Sequence, residues 1–124
     1  MRITLVSSCG LVLEAEGRTL LVDALNKQFR CYYGLPPGTF SQMLAGEPPY
    51  DALCGILCTH AHPDHYNALR TRQLQAASGA PVFVPQPQTP PQLVLQFGPF
   101  CVEYHQFAHT PVPGWDAITH GVYF

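Results

Sequence analysis

His60-Ala61-His62-Pro63-Asp64-His65 places four metal-ligand side chains within six positions. Imidazole nitrogen and carboxylate oxygen are the donors that zinc and its first-row neighbours accept, at about 2.0–2.2 Å, and a catalytic site leaves one position open for water. In an extended backbone, residues two apart project to the same side, so His60, His62 and Asp64 can converge on one point. Pro63 disfavours helical geometry for the residue before it and so holds His62 extended. His65 is then presented from the first turn of whatever helix follows. The bland alternative, four ionisable residues serving only as helix caps and surface groups, competes poorly with metal binding.

These side chains need a frame. Residues Ile3 to Ser7, Leu11 to Ala15 and Thr19 to Asp23 read as a meander of antiparallel strands punctuated by Gly10 and Gly17. From Lys27 to Tyr50 prolines and glycines break the pattern into a long loop that encloses a short helix, Thr39 to Ala45. Leu53 to Cys58 is an almost continuous apolar run, as expected of a strand covered on both faces, and the ligand motif begins where it ends. His65 to Ser78 has helical spacing through Tyr66, Leu69, Leu74 and Ala77, with Asp64 as the expected N-cap and Gly79 beyond the C-terminus. Downstream come a short strand (Pro81 to Pro85) and a Pro/Gln-rich loop to Gln92. A hairpin follows, Leu93 to Phe97 and Phe100 to Phe107, and then a last strand from Ile118 to Phe124.

Thr59-His60-Ala61-His62-Pro63-Asp64-His65 resembles the HxHxDH signature of the metallo-β-lactamase superfamily, and the order of elements is similar to that family's N-terminal half. The resemblance implies an α+β fold of the αββα sandwich type, with residues 1–124 forming a single partial domain, about its N-terminal half. It implies that His60 and His62 bind a first metal, and Asp64 and His65 a second. A further histidine after two more strands completes the first site, and His109 in Phe107-Ala108-His109-Thr110-Pro111 holds that place in the order. One or two zinc ions are the implied cofactor, with iron or manganese as alternatives. The implied reaction is hydrolysis, in which water acidified by the metal to a pKa near ~7 attacks a carbonyl or phosphorus. Asp64 is the implied catalytic residue, orienting the nucleophile and moving its proton.

Asp23, closing the third strand, either hydrogen-bonds a ligating histidine or simply ends the strand. His105 alternates away from His109, and His120 opens another strand, so both are expected to be non-ligands. Asp116 comes too soon after His109, in a Pro/Gly loop, to be the family's bridging aspartate, and its final histidine has no counterpart. The chain is therefore expected to be a fragment, a half-domain completed by homodimerisation, or a degenerate relative. The functional expectation is a hydrolase of an ester, lactone, amide or phosphoester. Its rivals are a half-site metal-binding module without turnover and a diiron oxidoreductase of the same fold. That last branch typically carries Glu where His62 stands.

Charged residues make up 11% of the chain, well below the roughly 25% of ordinary soluble domains, while the apolar share of 47% is ordinary. So little surface charge implies covered faces, hence association or poor solubility. Net charge is −2 with no run of Lys or Arg, which removes the electrostatic footprint of a nucleic-acid binder and leaves a small-molecule substrate as the expected partner. No apolar run approaches the ~20 residues of a membrane span, and Ser7 and Ser8 interrupt the N-terminus too early for a secretory signal, so the expected compartment is the cytoplasm. Five cysteines without a CxxC pair are expected to be reduced thiols, with Cys54 and Cys58 on one buried strand face.

Overall fold

In the computed structural model, which describes residues 1–109, 112–114 and 118–124, the N-terminal meander is three antiparallel strands, β1 (Arg2–Leu5), β2 (Leu11–Ala15) and β3 (Arg18–Val22). Glu16 and Gly17 join the last two with φ of 50° and 69°, the left-handed pair that a two-residue hairpin loop requires. The chain then crosses over through α1 (Pro37–Ala45) and a 3-10 turn (Tyr50–Ala52) to β4 (Leu53–Leu57), parallel to β3. A second crossover through α2 (Ala68–Ser78) reaches β5 (Val82–Phe83), parallel to β4. The result is a five-stranded mixed sheet of order β1-β2-β3-β4-β5. Strands β6 (Gln92–Phe97), β7 (Phe100–Gln106) and β8 (Gly121–Tyr123) form a second, antiparallel sheet in that order.

Period-two alternation distributes the core. Val12, Leu21 and Ile56 face the helices and pack with Leu25, Leu35, Met43 and Leu74. Their neighbours Leu20 and Leu57 face the other way, against Phe97, Phe100 and Val102 of the second sheet, and Cys54 joins them because the β3–β4 register shifts beside it and breaks the alternation. The chain is thus a small mixed α/β domain in which helices, five-stranded sheet and three-stranded sheet form successive layers. β4 is buried at every position, which explains why its sequence is an unbroken apolar run instead of an alternation. Each fully buried Leu or Ile contributes roughly 1.5–3 kcal/mol.

The structure corrects the expected helix start. Asp64 caps nothing: the amides of His65 and Tyr66 both donate to the His62 carbonyl, at 3.0 and 2.8 Å, closing a separate turn. Asn67 is extended (φ −135°, ψ 107°), and its side chain accepts from the Arg70 amide at 3.0 Å as the true N-cap of α2. The buried face of α2 runs through Thr71 and Leu74, while Leu69 is 52% exposed, so the apolar spacing was out of phase by part of a turn. The last strand begins at Gly121, not Ile118. All five cysteines are free thiols, with Cys54 and Cys58 buried. Among the described residues, no helix is long and apolar enough to cross a membrane.

Candidate metal centre

β1, β3 and β4 run in the same direction, so the segments that follow them meet at one end of the sheet. Thr59, just past β4, is gripped there from two sides. Its amide and hydroxyl donate to the Asp23 carboxylate at 2.8 and 2.7 Å, and its carbonyl accepts from the Gly121 amide at 2.8 Å. Asp23 sits at φ 52°, a left-handed conformation that costs a non-glycine residue energy and is held by those bonds. The ligand motif therefore leaves its strand wedged between the two sheets, and His60 and His62 are 6% and 7% exposed.

Four imidazoles converge. His60, His62, His109 and His120 each offer a nitrogen, and these nitrogens lie within 4.8 Å of one another. Ring centroids are 4.6 Å apart for His60 and His62 and 4.6 Å for His60 and His120, and His109 and His120 stack at 4.1 Å with planes 10° apart. Nitrogens bound to one tetrahedral zinc at 2.0–2.1 Å stand about 3.3 Å from each other, so only a small contraction separates this cluster from a ligand shell. Burial, followed by the neighbouring rings of His65, His62, His120 and His109, pushes His60 down to about 3. His120 is lowered by burial first and then by its imidazole neighbours. Both are thus neutral at physiological pH, the state in which imidazole ligates. His120 also bonds the Ile118 backbone, while its buried Nε2 has no hydrogen-bond partner. The ring is consequently tethered through Nδ1 with Nε2 available, the arrangement usual for a metal-binding histidine.

Asp64 and His65 belong to a second group. Together with Cys9 they bring one sulfur, one oxygen and one nitrogen within 4.8 Å of one another. His65 Nδ1 lies 2.8 Å from Asp23 Oδ2, and since an ionised carboxylate can only accept, Nδ1 carries the proton and Nε2 is the donor atom left. The Cys9 thiol is raised by burial, with the Asp64 and Asp23 carboxylates adding to the effect. The two groups are adjacent, with ring centroids of His60 and His65 4.0 Å apart. A cavity of about 260 Å³ opens over them, lined by His60, His62, Asp64, His65, His109 and, at its rim, Arg30.

No protein-family model matches this chain, and no curated protein matches it. The functional reading therefore rests on the site itself. Of the residues picked out by sequence, His60, His62 and His109 come together, and Asp64 and His65 form a neighbouring pair. Asp23 makes the hydrogen bond to His65 that was one of its two expected roles. His105 points to Glu103, 3.4 Å away, apart from the cluster. Asp116 lies outside the described residues. His120 was expected to be a non-ligand, yet it stands within the four-imidazole group. It precedes β8 instead of lying in it, and the bond from Gly121 to Thr59 carries it to His60. A usable signal was present in the sequence, since His109 and His120 lie only eleven positions apart. Cys9 was read only as a reduced thiol, because its approach to Asp64 depends on strand order.

Proposed function

We propose that the chain is a metal-dependent hydrolase of metallo-β-lactamase type, with zinc as its metal, acting on an ester, lactone, amide or phosphoester. The observation that carries this reading is the convergence of four imidazoles, three of them buried, beside a cavity that also presents Asp64. His60 and His62, with His109 or His120 or both, would hold the ion. Bound there, zinc would supply an acidified water and polarise the scissile carbonyl or phosphoryl oxygen. Asp64 stands on the cavity wall beside the histidines, where a carboxylate can accept a proton from the attacking water and orient it. Asp23 fixes the His65 ring and the start of the motif together. Arg30 lies at the cavity rim with its guanidinium 5.2 Å from the Phe29 ring centroid, a placement suited to an anionic group on the substrate. Among the candidate substrates, phosphoesters fit that cation best.

The test is metal content and turnover together. Purified protein should carry zinc and hydrolyse members of an ester and phosphodiester panel, and His60→Ala with His62→Ala should abolish turnover and the zinc held by the four-histidine group. A double variant that binds as many equivalents of zinc as the wild type would reject the ligand assignment, and iron in place of zinc would favour the oxidoreductase chemistry of the same fold. A second reading is supported by the fourth imidazole. If all four histidines ligate, a tetrahedral shell closes, and closed shells are structural and not catalytic. Tightly bound zinc with no turnover in the wild-type protein would favour that metal-binding module.

A further inference from the structure

We propose that Cys9 completes a second metal site with Asp64 and His65, a mixed sulfur, oxygen and nitrogen site for a zinc-class ion beside the four-histidine group. The proposal extends the metal-centre reading above and rests on it for the neighbouring ion. Its geometry is independent of that ion. His65 Nε2 lies 3.5 Å from Asp64 Oδ2, and two donors bound at about 2.0–2.2 Å to one tetrahedral ion stand about 3.4 Å apart. The opposite edge of the His65 ring is already fixed, with Nδ1 donating to Asp23, which is the carboxylate–histidine support that orients metal ligands.

Cys9 arrives from another part of the chain. It sits in the bend after β1, and that bend is tied down by Ser8, whose amide donates to the Tyr33 carbonyl at 3.0 Å and whose hydroxyl accepts from the Tyr33 amide at 2.7 Å. The Gly10 amide closes it by donating a hydrogen bond to Ser7 Oγ at 2.9 Å. The thiol is thereby held within 4.8 Å of the Asp64 and His65 donor atoms. A thiolate in the set selects zinc or cobalt over magnesium or calcium, and three protein ligands leave a fourth position for water or for a group shared with the first ion. In the order of elements the family implies, this second site stands two ligands short. Cys9 supplies one of them from upstream of the motif.

The full chain titrated with cobalt(II) reads the proposal directly. Two equivalents should bind, and one should bring a thiolate-to-cobalt charge-transfer band. Cys9→Ser should lose that band and one equivalent while keeping the other, and Cys31→Ser should keep both. Alkylation followed by peptide mapping gives a check that needs no variant: zinc should slow modification at Cys9 several-fold and leave Cys31 unchanged. One equivalent bound without the band, or Cys9→Ser titrating like wild type, would overturn the Cys9 site and leave the four-histidine site standing. A chain that binds no cobalt would overturn both.

Discussion

Asp23 is the residue on which the two halves of the centre depend. One carboxylate receives the Thr59 amide, the Thr59 hydroxyl and His65 Nδ1. An amide of the same shape keeps one acceptor oxygen and replaces the other with donors, so Asp23→Asn cannot satisfy all three bonds. Metal affinity should fall about 10–100-fold, as for loss of a carboxylate behind a ligating histidine, and stability by about 1–3 kcal/mol. Chelator competition and denaturant titration measure the two separately; lost stability with unchanged affinity would reduce Asp23 to an anchor for Thr59. The histidine cluster makes a pH prediction for the metal-free protein. The unfolded chain takes up a proton at His60 near 6.5, but the folded chain resists it down to about 3. A depressed folded value means that stability is complete above 6.5 and is lost as pH falls from there toward 3, at up to about 1.4 kcal/mol per pH unit. His120 acts in the same direction. Urea midpoints of chelated protein should drop between pH 7 and pH 5, and His60→Gln should flatten the slope.

The elements show where local sequence sufficed and where it did not. β4 and the motif at its end were legible because an unbroken apolar run and i, i+2 ligand spacing are local signals. The start of α2 was not, because Asp64 and Asn67 are both good caps and only the His62 carbonyl, by capturing two amides, decides between them. Turn and helix are thus separate units. Asn67→Ala should cost about 1 kcal/mol of stability and leave metal affinity unchanged, whereas a helix running directly out of the motif would lose both. His120 was hidden by a tertiary contact. β8 fits against Tyr104 only because residue 121 has no side chain: a Cβ there would lie 1.9 Å from Tyr104 Cε2. Gly121→Ala should therefore displace β8, cost about 1–3 kcal/mol and weaken zinc binding through His120. Gly38→Ala, in open space within α1, should do neither. Thermal melts and zinc titrations of the two variants check both statements.

At the scale of the whole molecule, the four-histidine group joins two layers. His60 and His62 follow β4 of the five-stranded sheet, while His109 and His120 lie between β7 and β8 of the other. The layers also meet through an apolar cluster around Leu20, Leu57, Phe97 and Phe100 and through hydrogen bonds such as that from the Gly121 amide to the Thr59 carbonyl. An ion held by ligands from both sides would act as a clamp across that cluster. Free metal at about 1,000 times its dissociation constant adds about 4 kcal/mol. For a chain between the small and medium size classes, that corresponds to a Tm higher by about 10–16 °C. Chelation should remove the gain, and His120→Ala, which deletes a ligand from the second sheet, should forfeit most of it. Cys9→Ser should forfeit little, because Cys9, Asp64 and His65 all follow strands of the first sheet. Hydrogen exchange separates a clamp from a merely local effect. Zinc should slow amide exchange in β6 and β7 as well as in β3 and β4; slowing confined to residues 59–66 would mean that the ion stiffens its own loop and leaves the sheets independent.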